Sequence, residues 1–164
     1  MTAIGGKRMR LAVLLVLGLT AWAQKYSGPV PEKEDLPYIV QADNLIPTEA
    51  ATAQEQKGKK DETLYFVPGA ASKSRTPLAS PNFLLKAKEL VPEKLEVYRL
   101  EVKNGRREIM FRNSKRAKNP EPAHVNVRRL AEGLYRLEVS DSLPNGQYSI
   151  TPKGSNDVFC FEVY

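Results

Sequence analysis

Alternating apolar and polar side chains run through the second half of the chain, from about residue 83 to the C-terminus. In one such segment Tyr135, Leu137 and Val139 alternate with Arg136 and Glu138. Because successive side chains of a strand point to opposite faces, this alternation predicts strands with one buried face. The predicted strands number seven and cover residues 83–88, 94–102, 107–112, 124–130, 134–139, 146–151 and 157–163.

Short turns that contain glycine separate these strands. Asn104-Gly105 is a strong hairpin signal, since both residues tolerate the positive φ that a two-residue turn requires. Gly133 and Gly154 occupy similar places between the next pairs of strands. Strands joined by so few residues are antiparallel neighbours. The pattern therefore predicts an all-β, antiparallel sandwich of about seven strands.

Two of the predicted strands depart from simple alternation. In the 94–102 strand Leu95 and Val97 share one parity, whereas Leu100 and Val102 share the other, which predicts a bulge near residues 98 and 99. The 157–163 strand is apolar on both parities, so we expect it to be central or covered on both faces. Its single cysteine, Cys160, is expected to be a small buried hydrophobe.

The chain before residue 83 has weaker patterns. Residues 64–67 predict a strand, and residues 70–82 predict a loop rich in Ser, Thr and Pro. Residues 24–60 are rich in Pro, Ala and charge, and we expect an irregular, partly disordered extension there. Within it, residues 38–40 predict a short strand, and residues 48–56 predict a helix that Thr48 caps.

The first 23 residues have the three parts of a secretory signal peptide. A basic cluster at residues 7–10 precedes an apolar run from Leu11 to Leu19, and Ala21-Trp22-Ala23 forms a small-x-small cleavage site before Gln24. The alternative is an uncleaved membrane anchor, but the apolar run is shorter than the roughly 20 residues that a bilayer requires. We therefore expect an exported protein, periplasmic or extracellular, with no transmembrane segment after cleavage. The expected organisation is a signal peptide at 1–23, an extension at 24–60 and a β-sandwich domain at 61–164.

Composition narrows the classes of function. The 164-residue chain carries a net charge of +6, and removal of the predicted signal peptide, which holds three basic and no acidic residues, lowers it to +3. That charge is too small to indicate a nucleic-acid partner. One cysteine excludes an intrachain disulfide, and one histidine with one cysteine falls short of the usual zinc ligand set. No motif indicates a catalytic residue, a cofactor or a metal site.

The segment Leu143-Pro144-Asn145-Gly146-Gln147-Tyr148 leads into the sixth predicted strand. It resembles the corner before strand F of immunoglobulin-like and fibronectin type III-like sandwiches, in which a Leu, a turn Gly and a Tyr recur in this order. The resemblance covers residues 83–164 and implies that Tyr148 bonds from its hydroxyl to upstream backbone, with residues 157–163 as strand G. The paired cysteines and the tryptophan of antibody domains are absent from this region. The chain also resembles small bacterial exported proteins that end on an aromatic-rich strand.

One loop concentrates positive charge. A basic binding patch is predicted from this loop and the strand that follows it, and its candidate residues are Lys115, Arg116, Lys118, Arg128 and Arg129. Such a patch would meet an anionic polysaccharide or an acidic envelope protein. The alternative is a solvated loop at one end of the sandwich.

These observations together predict a non-enzymatic, exported β-sandwich module that serves binding or assembly in the cell envelope. Two alternatives stay open. One is an exported hydrolase that uses a pair of carboxylates, since acidic side chains are plentiful. The other is a surface fibre subunit whose N-terminal arm adds a strand to the sheet edge of a neighbour.

Overall fold

The computed structural model describes residues 25–59, 61–114 and 117–164. These residues form an all-β, mainly antiparallel fold with one short 3₁₀ turn at Pro92–Lys94. The strands in chain order are β1 (Tyr38–Gln41), β2 (Asn44–Pro47), β3 (Glu49–Thr52), β4 (Gln54–Lys57), β5 (Glu62–Pro68), β6 (Arg75–Thr76), β7 (Asn82–Lys86), β8 (Leu95–Lys103), β9 (Arg106–Arg112), β10 (Val125–Ala131), β11 (Leu134–Val139), β12 (Gly146–Pro152) and β13 (Asp157–Val163).

Two sheets make up the fold. The first sheet has the order β10-β11-β7-β1-β2, and the second has the order β3-β13-β12-β8-β9-β5-β4, with β6 running parallel to β13. The seven predicted strands correspond to β7 to β13, so the all-β sandwich class is confirmed. The strand count is higher than seven, because residues 38–57 contribute four strands and residues 62–76 contribute two more.

The two sheets enclose an apolar layer that we call the sandwich core. The first sheet contributes Ile39, Phe83, Leu85 and Leu137, and the second contributes Leu95, Val97, Tyr148, Ile150, Phe159, Phe161 and Val163. At its centre Phe161 packs edge-on against Phe83, with ring centroids 5.0 Å apart, and stacks on Tyr148 at 5.5 Å. This layer is the main source of apolar burial.

The second sheet curls round on itself. Its edge strands, β3 and β4, are consecutive in the chain and are separated by a single residue, Ala53. Seven flat strands would place their edges about 29 Å apart at the usual spacing, so the sheet has to roll up for one residue to connect them. The concave face of this rolled sheet holds a second apolar cluster, the cavity core, formed by Ala53, Val67, Leu100, Val158 and Cys160.

The rolled sheet explains why β8 changes phase. Its pairing with β12 runs without interruption from Leu95 to Leu100, so the bulge predicted near residues 98 and 99 is wrong. Leu95 and Val97 belong to the sandwich core, whereas Leu100 belongs to the cavity core on the opposite face. The strand is apolar on both parities because both of its faces are covered. Strand β13 is also covered on both faces, which confirms the prediction made for residues 157–163.

The helix predicted at residues 48–56 is also wrong, since β3 and β4 occupy this segment. The hydroxyl of Thr48 donates to the Pro37 carbonyl at 2.7 Å instead of capping a helix. Ala51 and Ala53 lie against the cavity core, while Thr52 is exposed. Pairing with β13 and β5 overrides the helix propensity of the alanines, as tertiary context often does.

Within the residues that the structure describes, no helix has the length and apolar character needed to cross a membrane. The predicted signal peptide at 1–23 lies outside those residues.

Candidate functional site

A cavity of about 310 Å³ lies in the concave face of the rolled sheet. It exists because β8 and β9 separate. They pair only where Glu101–Lys103 meets Arg106–Glu108, and beyond Glu108 strand β9 continues alongside β5. Ala123 takes the place of β9 beside Val97 of β8. The space between the diverging strands is lined by inward-facing side chains of β5, β8, β9 and β12 and by the turn that joins β12 to β13.

The deep part of the cavity is apolar. Ala53, Val67, Leu100 and Val158 line it and are nearly inaccessible to solvent, with Ile109 half-buried above them. These five residues belong to β5, β8, β9, β13 and the link between β3 and β4. The apolar wall therefore requires the sheet to be rolled. A wall of this kind favours apolar parts of a ligand.

A buried ion pair closes one end of the rolled sheet. The Arg107 side chain is 1 % exposed, and its two terminal nitrogens donate to the Glu49 carboxylate at 2.8 and 3.2 Å. Its Nε donates to the Gly69 carbonyl and its Nη2 to the Pro68 carbonyl, both at 3.0 Å. Burial raises the pKa of Glu49, but the hydrogen bonds and charge of Arg107 outweigh burial and leave that pKa below its ordinary value. Arg107 is therefore fully engaged and its charge is neutralised.

The loop after β5 completes this closed end. The Ser72 amide donates to Gln147 Oε1 at 2.8 Å, and the Ser72 hydroxyl donates to the Cys160 carbonyl at 3.2 Å. The Lys73 amide donates to Glu49 Oε2 at 3.2 Å. These buried polar groups are satisfied within the chain, so this end is closed. The exposed lining residues Asn113, Gly154 and Asn156 mark the open end of the cavity.

Three aromatic rings stand at the open end of the cavity, on β5, β8 and β9. The Phe111 ring lies between the other two, with its centroid 6.1 Å from that of Tyr65 and 5.6 Å from that of Tyr98. The planes of Tyr65 and Tyr98 are inclined to the Phe111 plane by 71° and 89°. The rings therefore form adjoining walls and not a stack. Each is only half-buried, so part of each ring remains accessible.

Glu96 lies beside these rings. The Tyr98 hydroxyl donates to Glu96 Oε2 at 2.9 Å. Burial and then this carboxylate raise the pKa of Tyr98 from its ordinary 10.0 to about 12, so its phenol stays protonated at neutral pH. Among the cavity-lining residues of the described chain, Glu96 is the one carboxylate. The mouth thus combines three rings, one carboxylate and the polar side chains of Asn113, Thr151 and Asn156.

Cys160 is the buried small hydrophobe that the sequence predicted. Its side chain is inaccessible, and burial raises the pKa of its thiol from 9.0 to about 11. A protonated, inaccessible thiol is a poor nucleophile. Elsewhere in the described part of the chain, no three His, Cys, Asp or Glu side chains gather where they could bind a metal ion.

The corner residues lie at the start of β12. Leu143 is buried, and the hydroxyl of Tyr148 donates to the Pro144 carbonyl at 2.6 Å, which is a bond to upstream backbone. Gly146 has φ of +157°, and a Cβ there would lie 3.3 Å from the Arg99 guanidinium. The corner thus anchors the strand that carries Tyr148 into the sandwich core.

The residues of the predicted basic patch are on separate elements. Lys118 borders a second pocket of about 560 Å³, on the outer side of the rolled sheet, whereas Arg128 and Arg129 are exposed on β10, an edge strand of the first sheet. Lys115 and Arg116 lie outside the described residues. The patch remains a prediction.

The sequence did not single out the cavity residues. A signal was present, since Thr63, Tyr65 and Val67 alternate on one face of β5, and Ile109 and Phe111 do the same on β9. What the sequence lacks is the pairing of β5 with β9, which brings these faces together. Among the protein-family models, curated proteins and solved structures compared with the chain, none matches it.

Proposed function

We propose that this protein is a non-enzymatic binding module of the cell envelope and that the cavity of the rolled sheet is its ligand site. The observation that carries the proposal is a cavity in the concave face of the rolled sheet, with an apolar wall, an aromatic mouth and a closed polar end. Cavities of about this size and composition are typical of sites for small molecules. The ligand would be a small amphipathic compound.

Binding is favoured over the hydrolase alternative by the charges in the cavity. Hydrolysis by a carboxylate pair needs two carboxyl groups that face one reacting bond. Glu96 is the one carboxylate that lines the cavity in the described chain, and Glu49 is occupied by Arg107 at the closed end. The fibre alternative is disfavoured because residues 38–57, the larger part of the predicted arm at 24–60, pair within the chain.

We also infer that the sandwich is immunoglobulin-like. The order β10-β11-β7-β1 in the first sheet and β13-β12-β8 in the second correspond to the D-E-B-A and G-F-C orders of that fold. The Tyr148 hydrogen bond at the corner before β12 also supports the assignment. On this assignment the hairpin of β4 and β5 covers the outer face of the G-F-C sheet, which in a plain sandwich faces solvent.

Export is part of the proposal and rests on the pattern of residues 1–23. Mass spectrometry of the protein recovered from envelope and culture fractions would test it. We expect a chain that begins at Gln24 in the periplasmic or extracellular fraction. A chain that retains Met1 in the cytoplasm would contradict export without affecting the ligand site. An anionic polysaccharide or an acidic envelope protein at the basic patch remains a separate proposal.

The ligand site is tested by filling the cavity. Ala53→Phe would place a ring in the deep part, while Ala50→Phe on the preceding strand, β3, adds an equal ring at an exposed position. A library of small amphipathic compounds is screened by NMR chemical-shift changes. We expect hits that shift signals of Tyr65, Tyr98 and Phe111, that disappear in Ala53→Phe and that persist in Ala50→Phe. Hits insensitive to Ala53→Phe, or no hits at all, would contradict the proposal.

A further inference from the structure

We propose that the cavity selects an organic ammonium cation, which Glu96 and the three aromatic rings hold together. This inference rests on the proposed binding function and adds the chemical class of the ligand. It is argued from the charge at the mouth, the arrangement of the rings and the shape of the space between them.

The carboxylate of Glu96 is the charge that a ligand would meet. No salt bridge among the described residues includes Glu96, whose one assigned side-chain partner is the Tyr98 hydroxyl. The other charged residue in the cavity lining, Arg107, is neutralised by Glu49. Arg107 also pairs with Val102 of β8, six residues beyond Glu96, a distance of up to about 20 Å along a strand. Glu96 is therefore the charge in the cavity lining that no ion pair balances.

The rings supply the second half of a cation site. The face of an aromatic ring carries partial negative charge, and a cation within about 6 Å of the ring centre is attracted to it. Tyr65, Phe111 and Tyr98 form three adjoining walls at the mouth. An ammonium group bounded by several such walls can contact more than one face at once, which a single ring or a stack does not allow.

Tyr98 ties the carboxylate to the rings. Its hydroxyl is a donor to Glu96 Oε2, which fixes the carboxylate beside the aromatic walls and leaves Oε1 to face a cation. Since the phenol stays protonated at neutral pH, it cannot add a second negative charge, and the ligand that balances the site carries one positive charge. A quaternary ammonium ion suits this arrangement because its diffuse charge needs ring faces and no hydrogen-bond acceptor.

The remaining space sets limits on the rest of the ligand. A volume of about 310 Å³ holds a trimethylammonium group with a short chain attached. The chain would extend toward Val67 and Leu100 if apolar, or toward Asn113 and Asn156 at the rim if polar. A negatively charged group on the ligand would be repelled by Glu96.

The test uses two compounds of nearly equal shape that differ in charge. Choline carries a trimethylammonium group, and 3,3-dimethylbutan-1-ol carries a neutral tert-butyl group in its place. Protein expressed from the full-length sequence is titrated with each compound by NMR. We expect choline to shift the signals of Tyr65, Tyr98 and Phe111 and to bind about tenfold or more tightly than the neutral compound, as a desolvated cation–π contact predicts.

Variants assign the effect to the site. Glu96→Gln should remove most of the preference for choline, whereas Glu101→Gln, an exposed glutamate of the same strand outside the cavity lining, should leave it unchanged. Phe111→Leu removes one ring and should weaken choline binding. Tyr98→Phe keeps the ring and removes the hydroxyl that positions Glu96, so it should weaken choline binding and retain a preference for choline over the neutral compound. Thermal unfolding shows which variants remain folded.

The outcomes separate this inference from the proposed function. Equal binding of the two compounds, or an unchanged preference in a folded Glu96→Gln variant, would overturn the cation inference and leave the ligand site in place. If neither compound binds but the library gives hits that Ala53→Phe abolishes, the cation inference is also overturned and the ligand site stays in place. If neither compound binds and the library gives no hits, both proposals fail.

Discussion

Strands β8, β12 and β13 present two different faces to the rest of the molecule. On one face Val97, Ile150 and Phe161 are buried in the sandwich core. On the other face Leu100 and Val158 line a cavity whose closed end contains a buried ion pair. One set of strands thus separates two tasks, since the first face is committed to stability and the second is the face that we propose binds a ligand.

The largest expected effect concerns a matched pair of phenylalanines, one in the sandwich core and one at the mouth of the cavity. Phe161→Ala should lower the free energy of unfolding by about 4 kcal/mol, because it empties a fully buried position between Phe83 and Tyr148. Phe111→Ala, at the half-buried mouth, should cost about 1 kcal/mol. Urea unfolding of the two variants measures the difference. Equal losses would show that the cavity side carries as much stability as the sandwich side.

The ion pair at the closed end is the next test. Arg107→Met should cost about 3 kcal/mol, because it leaves the Glu49 carboxylate and two backbone carbonyls without their donor. The double variant Arg107→Met with Glu49→Leu should recover much of this loss, since it removes the unpaired charge. A double variant no more stable than Arg107→Met would mean that the pair acts by shape and not by charge.

The same pair predicts a loss of stability in acid. The pKa of Glu49 is lowered in the folded state, so its contribution is present above about pH 4.5 and declines as the pH falls through the folded value. Glu49→Gln should remove this part of the acid dependence. Unfolding curves recorded between pH 3 and 7 would measure it, and an unchanged slope in the variant would exclude Glu49 as the cause.

The free energy of unfolding at alkaline pH tests the burial of the Cys160 thiol in the cavity core. The pKa of Cys160 is raised from 9.0 to about 11, so its stabilising contribution is complete below pH 9 and is lost as the pH rises through 11. A shift of this size corresponds to about 2 to 3 kcal/mol. Cys160→Ala should therefore lose less stability than the natural chain across this range. Parallel curves would contradict the burial of the thiol.

The smallest expected effect is at the corner before β12. Tyr148→Phe keeps the ring in the sandwich core and removes the hydroxyl that donates to Pro144. The free energy of unfolding should fall by about 1 kcal/mol, the usual value of a single hydrogen bond. Ligand binding should be unaffected, because Tyr148 faces away from the cavity. A change in binding without a change in stability would show that the two faces are coupled.

Local signals explain which parts of this fold the sequence predicts. The hairpins β8-β9, β10-β11 and β12-β13 have short connections, and the Asn104-Gly105 turn adopts positive φ at both residues as predicted. The failures arise from pairs that are distant in sequence. Glu49 lies opposite Cys160, more than 100 residues later, and no local pattern reveals that partner. The helix prediction at 48–56 failed for this reason.

The cavity was missed for a related reason. Alternation in β5 and β9 indicates that Tyr65 and Phe111 share a buried face with their neighbours, but it does not indicate which strands they face. The cavity depends on β9 leaving β8 after Glu108 and on the sheet closing through Ala53. Neither feature has a signature within a short window of residues.

Strand β13 has a consequence for the order of folding. Its side chains complete the sandwich core on one face and the cavity core on the other, and it is the last strand of the chain. A growing chain therefore cannot bury either cluster until synthesis reaches residue 163. Contacts between such distant segments also form slowly. For a chain that we propose is exported, this delay would keep it unfolded until residue 163 has been made, and an unfolded chain is the form that can be threaded through a narrow passage.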